Sequence, residues 1–240
     1  MDFQEGEILA FDKPYGWTSF DVVGKARWLI CRRLGIKKLK VGHTGTLDPL
    51  ATGVVVVCTG KKTKQIEQLQ QHAKQYEATL QLGATTPSYD LEKPIDKHYP
   101  TEHITRSLID EVLPRFVGEI WQVPPMFSAV KVDGKRAYSI ARKGEQVELK
   151  PKQLVIDRLE VLDFDAKTMQ LRLLIDCSKG TYIRALARDI GEALGSGAHL
   201  IALRRTRLGE LTTDDCLSFE QFEQIIEQQR KDNQAKAQQQ

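Results

Sequence analysis

A chain of 240 residues, 41% of them hydrophobic, is long enough to build a globular core in one large domain or two small ones. It opens with no charged, apolar leader, and no run reaches the roughly 18 apolar residues needed to span a bilayer as a helix, so a cytoplasmic protein is expected. The cysteines at 31, 58, 177 and 216 form no CxxC pair and do not gather with histidines, so reduced thiols and no metal are expected, while a net charge of +3 is too small to identify a partner.

Glu7 to Phe11 reads as a short strand, after which Thr18 or Ser19 offers an N-cap for a helix that turns Val22, Val23, Ala26, Leu29 and Ile30 inward and stops at Gly35. Gly42-His43-Thr44-Gly45-Thr46-Leu47-Asp48-Pro49-Leu50-Ala51-Thr52-Gly53 follows. Its glycines permit positive φ or close backbone approach and Pro49 fixes the chain after Asp48, so one carboxylate sits on a stiff loop. A lone Asp-Pro pair is commonly a turn bonded to its own backbone, but this many specified positions in a row exceed what a turn needs. The loop leads into Val54 to Cys58, a β-branched run of the kind buried on both faces of a sheet.

Lys61 to His72 is polar and compatible with helix, and Tyr76, Ala78, Leu80 and Leu82 then alternate with polar residues at the period of a strand. From Lys25 to Lys64 there are 10 Lys or Arg against one acid, Asp48 itself. Such a patch suits a polyanion, and equally a solvated helix face; charge alone leaves both readings open.

Gly83 to Pro100 is expected to be an exposed inserted loop. Thr101 is the expected cap of a helix carrying Ile104, Leu108, Ile109, Val112 and Leu113 and ending near Pro114. Trp121 to Lys152 reads as mostly irregular and rich in Lys, Arg, Gly and Pro. Gln170 to Cys177 is predicted as a strand and Tyr182 to Leu194 as a helix, with Ile183, Leu186, Ala187, Ile190 and Leu194 on its apolar stripe and Arg184 and Arg188 off it. After Ile226 the chain is polar and rich in Gln, which predicts a frayed helix or disorder. Strands recurring among helices without regular alternation, and without an internal repeat, point to an α+β fold.

The stretch from Gly42 to Gly53 resembles the motif of the bacterial tRNA pseudouridine-55 synthases of the TruB type, which carries their catalytic aspartate. The resemblance extends to Asp12-Lys13-Pro14-Tyr15-Gly16-Trp17-Thr18-Ser19, to Val123 through Lys131, to Cys177-Ser178-Lys179-Gly180-Thr181-Tyr182-Ile183-Arg184, and to Gly197 through Leu200 followed by Leu203 to Thr206. It covers about residues 6 to 222 and implies the pseudouridine synthase fold, with a mixed, mainly antiparallel central sheet flanked by helices. A catalytic domain is then expected over 1–225, with RNA-binding insertions at about 83–100 and 122–152, and a polar tail over 226–240.

The implied reaction isomerises uridine 55 in the T loop of tRNA, using base flipping and no cofactor. The bond from N1 of uracil to C1′ of ribose breaks, the base rotates, and C5 takes the place of N1. Asp48 is the implied catalytic carboxylate, attacking C1′ or removing the proton at C2′, and the sequence leaves both open. Arg184 is the implied cation that keeps it ionised, since a nearby Arg lowers an Asp pKa by about 1–3 units. Tyr76 is expected to stack on the target base, Tyr182 and Leu203 to wall the pocket, and His43 to fill the space that the flipped nucleotide vacates. Lys64 and the pair Arg204 and Arg205 are expected to meet phosphates or the loop. The segment from Pro124 to Lys152, with Lys131, Lys135, Arg136, Arg142, Lys143 and Lys150, would cover the T stem-loop of the tRNA partner as a mobile thumb. A monomer without an obligate protein partner is expected.

Many members of this family continue into a small RNA-binding domain of the PUA type, whereas this sequence ends soon after Phe222, so the catalytic domain is expected to hold the T arm largely alone. Ala84 to Asp90 also departs from the family pattern, in which an acid follows the first threonine more closely. Two other functions fit some of the same residues. One is an RNA-binding or tRNA-folding chaperone acting without turnover; the other is a carboxylate hydrolase of nucleosides or glycosides, which lacks an evident second acid.

Overall fold

The structure, a computed structural model, describes residues 1–128 and 149–238 together with the backbone of 131–132 and 135–136. Apolar runs and glycine stops delimit its elements. In chain order these are β1 (Ile8–Lys13), α1 (Ser19–Leu34), β2 (Val41–Thr44), β3 (Ala51–Thr59), α2 (Ile66–Leu69), β4 (Lys74–Leu82), β5 (Ala84–Thr85), β6 (Lys97–His98), α3 (Arg106–Val112), β7 (Gly118–Gln122), β8 (Lys131–Val132), β9 (Lys135–Arg136), β10 (Lys152–Asp165), β11 (Gln170–Cys177), α4 (Ile183–Ala193), β12 (Ala198–Leu208), β13 (Leu211–Thr212) and α5 (Phe219–Gln238). The fold is α+β, and its residues form two units, Met1–Lys74 with Arg204–Gln240, and Gln75–Leu203. Of the basic segment expected over an RNA stem, Arg142, Lys143 and the side chains of Lys131, Lys135 and Arg136 lie outside the described residues.

In the first unit the valine run behaves as its composition predicts: Val54 to Cys58 are all fully buried in β3. β1 runs antiparallel to β3, placing Ile8 opposite Cys58 and Lys13 opposite Gly53. β2 pairs antiparallel with the far end of β3, Thr44 opposite Val56. Helix α1 begins where the sequence suggested. Thr18 accepts from the amide of Asp21 at 3.1 Å while the Asp21 carboxylate accepts from the amide of Thr18 at 2.7 Å, a reciprocal capping box. Gly35, at φ 70°, ends the helix in the left-handed conformation that glycine adopts without strain.

Aromatic packing ties the end of the chain to its beginning. Phe11 stacks on Phe219 with centroids 5.0 Å apart and meets Phe222 edge-on at 5.1 Å, and Trp17 lies 5.3 Å from Phe219. Arg33 of α1 pairs with Glu223 of α5 at 2.6 Å. Beyond Asn233 the described residues of α5 are exposed. The polar stretch Lys61–His72 is more broken than its composition suggested, a 3-10 turn over Gly60–Gln65 followed by the single turn of α2.

In the second unit the strands run in the order β4, β11, β10, β7. β4 shows the expected alternation, with Tyr76, Ala78, Leu80 and Leu82 buried. Two expectations need correction here. The helix before Pro114 is capped by Thr105, whose hydroxyl accepts from Leu108 N at 3.2 Å, rather than by Thr101, so Ile104 precedes the helix. The segment 83–100 is not simply an exposed loop: β5 and β6 pair antiparallel within it, and Ala84, Thr86, Ser88 and Asp90 are buried.

Strands β7 and β10 have no counterpart in the sequence reading. β10 is antiparallel to both β7 and β11, and its register against β11 shifts at Ile156/Arg158 and again at Val161/Asp163. Each bulge breaks the two-residue period, which hides a strand from pattern analysis.

Because the Thr18 cap satisfies an amide of the first turn of α1, Thr18→Ala is expected to lower stability by about 1 kcal/mol, measured as a shift of the urea midpoint at constant m-value.

Candidate active site

The loop that carries Asp48 is held from three sides. From β1, Lys13 sends its ammonium to the carbonyl oxygens of Pro14 at 3.0 Å, Pro49 at 3.2 Å and Trp17. From α1, the Ser19 hydroxyl accepts from Leu47 N at 2.9 Å and donates to Leu47 O at 3.3 Å, while Gly16 N donates to Pro49 O at 2.9 Å. From β12, Arg205 donates through Nε to Val54 O at 2.7 Å and through Nη2 to Gly45 O at 3.0 Å. Gly53 must be glycine, since its φ is 101° and a Cβ there would lie 2.1 Å from the backbone oxygen of Arg205.

Lys13 and Arg205 are 0% and 1% exposed. Arg205 is thus an internal clamp turned away from solvent, and Arg204 is bound to Asp12 at 2.7 Å. Burial pushes the Lys13 ammonium down from 10.5 to about 8, opposed first by the attraction of Asp48. That attraction is mutual, so the same cation favours a charged Asp48, which is only partly buried.

His43 stands on β2 at the entrance to the loop, partly buried. Burial and then the nearby Arg205 lower its pKa, leaving a neutral imidazole at pH 7. Its Nδ1 is buried and has no hydrogen-bond partner among the described residues. Lys64 is exposed in the 3-10 turn after β3.

The second unit holds Tyr76, Tyr182, Arg184 and Leu203. Tyr76 is buried on β4, and Tyr182 and Leu203 are partly exposed. Tyr182 is the N-cap of α4, and Gln122 of β7 supplies the cap that its side chain does not: Gln122 accepts from Tyr182 N at 2.9 Å and donates to Tyr182 O at 3.2 Å.

Arg184, although off the apolar stripe of its helix, is buried. It is 5% exposed and donates to Ser88 O at 3.2 Å and Phe127 O at 2.9 Å. The Asp90 carboxylate lies 3.7 Å from its Nε and is itself buried. The unusual segment Ala84 to Asp90 makes this possible. Tyr89, at φ 61°, reverses the chain, and the Thr86 hydroxyl donates to Asp90 O at 2.7 Å. Neither Asp90 nor Gln122 was singled out from the sequence, because neither lies in a spaced motif.

Residues 32–183 match the N-terminal domain of the TruB family of pseudouridylate synthases, and residues 184–239 match the C-terminal domain of tRNA pseudouridylate synthase B. The chain belongs to the TruB family. It is 65% identical to the tRNA pseudouridine synthase B of Phocaeicola vulgatus over 95% of this chain and 97% of that one. Identity is 48% to the tRNA pseudouridine synthase B of Chlorobium luteolum, over 90% of this chain and 74% of the relative.

Solved structures extend the likeness in fold. A chain from an H/ACA RNP bound to a substrate RNA containing 2'-deoxyuridine is 27% identical with a TM-score of 0.68, over 96% of this chain and 56% of that one. A chain of a Cbf5-Nop10-Gar1 complex is 29% identical with a TM-score of 0.67, over 92% and 54%. The chain therefore spans little more than half the length of these two structural neighbours, and the pseudouridine synthase fold is common to them. Helix α5 falls inside the second TruB family match.

Lys13→Met removes the donor that joins three inward carbonyls, of which Pro49 O keeps Gly16 N and Pro14 O keeps Trp17 N, and is expected to cost about 2 kcal/mol at pH 7. Between about 8 and 10.5 the unfolded Lys13 binds more protons than the folded one, so wild-type stability should gain with rising pH in that window. The variant lacks this gain. Urea unfolding at a series of pH values should show the gap between the two proteins widening above pH 8.

Proposed function

We propose that the protein isomerises uridine to pseudouridine in tRNA, at position 55 of the T loop. The observation that carries this reading is a partly exposed Asp48 on a loop clamped from three sides and set in the field of a buried Lys13, in a member of the TruB family. A fixed, charged carboxylate is what either route to a broken N1–C1′ bond requires, whether Asp48 attacks C1′ or removes the proton at C2′. In the reaction the freed uracil turns, C5 bonds to C1′, and the proton lost from C5 is balanced by one gained at N1, so that product and substrate are isomers.

Arg184 supplies the positive charge for this chemistry, and its buried bonds to Ser88 O and Phe127 O keep its guanidinium oriented. Tyr76 stacks on the extruded base, with Tyr182 and Leu203 as walls, while neutral His43 occupies the space the nucleotide leaves. Lys64 meets a phosphate. The enzyme works as a cytoplasmic monomer, and the proposed route, a redox-neutral isomerisation through Asp48, is written without a cofactor.

The test is an unmodified tRNA carrying labelled uridine at position 55. Wild type should convert it to pseudouridine, Asp48→Asn should leave it unchanged though still bound, and Arg184→Lys should lower turnover because an ammonium cannot reproduce the planar contacts. Free uracil from wild type would instead mean a hydrolase, and binding without product would mean an RNA-binding role alone.

A further inference from the structure

Two aromatic rings beside the Asp48 loop are left in solvent. Tyr15 is 60% exposed and Phe20 is 71% exposed. Their neighbours in sequence grip the residues that flank the aspartate: Gly16 is bonded to Pro49, and Ser19 to Leu47 in both directions. The capping box at Thr18 fixes the first turn of α1 and with it the direction in which Phe20 leaves the helix. Phe20 also stands edge-on to His43, with centroids 5.1 Å apart and planes at 89°.

Core packing does not account for this exposure, since Val22, Val23, Ala26, Leu29 and Ile30 already fill the inward face of α1. Two separate rings are also too small a patch for a protein partner. The stretch that follows Phe20 is predominantly basic: residues 21–47 contain Lys25, Arg27, Arg32, Arg33, Lys37, Lys38 and Lys40 against one acid, Asp21, whose carboxylate is engaged in the capping box. Exposed rings beside a predominantly basic stretch have the chemistry of a nucleobase platform, because every base offers a π-face and the cations hold the backbone.

We infer that Phe20 and Tyr15 stack on nucleobases flanking the uridine that the enzyme extrudes, holding the opened loop while Asp48 acts. This rests on the proposed isomerase activity and adds two substrate-binding residues to it. Phe20→Ala should raise KM for tRNA about tenfold while kcat changes by less than about twofold, and Tyr15→Ala should act in the same direction. Phe20→Trp should restore KM, whereas Phe20→Leu, apolar but without a π-face, should not.

A second measurement uses an RNA stem-loop with 2-aminopurine on one side or the other of the target uridine. Its emission should change on binding wild type, and Phe20→Ala should lose that change on one side only. A Phe20→Ala enzyme with wild-type KM and an unaltered 2-aminopurine response would overturn the inference, as would full rescue by Phe20→Leu. Absence of pseudouridine with wild type would refute the isomerase proposal itself, an outcome that the variants cannot imitate.

Discussion

Two buried cations determine the shape of the first unit. A charged side chain taken out of water costs several kcal/mol unless its donors are met, and Lys13 and Arg205 are met almost wholly by backbone carbonyls of, or next to, the Asp48 loop. Those carbonyls must therefore point inward, and a loop whose oxygens are turned toward two fixed cations has little freedom left. Lys13 stands opposite Gly53 on one side of β3, and the backbone of Arg205 presses against Gly53 on the other. The glycine is small because both neighbours must come close. Asp48 is held by the loop and left partly open to solvent.

The second unit solves a related problem by a different route. Arg184 lies on the first turn of α4, and its charge is balanced by a buried carboxylate, Asp90, as well as by two carbonyls. The helix start itself relies on Gln122 for capping, since Tyr182 offers no side-chain cap. Tyr182 and Arg184 are thus oriented by residues far away in sequence, on β7 and in the turn before Leu91. A planar guanidinium with three fixed partners cannot swing as a surface arginine does.

Much of this was legible in the sequence wherever a local rule applied. Thr18 and Gly35 bound α1 because capping is a matter of a few adjacent residues, and Val54 to Cys58 announce a buried strand by composition alone. The family resemblance resting on the Gly42 to Gly53 motif agrees with the matched family domains. What stayed hidden was non-local. Arg205 reads as one more cation in a basic segment, and only the strand facing Val54 and Gly45 turns it inward. Asp90 reads as a loop acid until Tyr89 reverses the chain. β10 escaped because its two bulges put successive charged residues out of step with the pleat.

The aromatic cluster around Phe11 has a consequence for the order of folding. Lys13 leaves the same strand as Phe11, yet Phe11 completes its packing against Phe219 and Phe222, and Arg205 also comes from the last part of the chain. Contacts of such sequence separation form late, after the entropy of closing a very long loop has been met. A nascent chain emerging from the ribosome can therefore hold its aspartate loop through Lys13, Gly16 and Ser19 long before Arg205 is made, and the third side of the clamp closes only when the last strands have been synthesised.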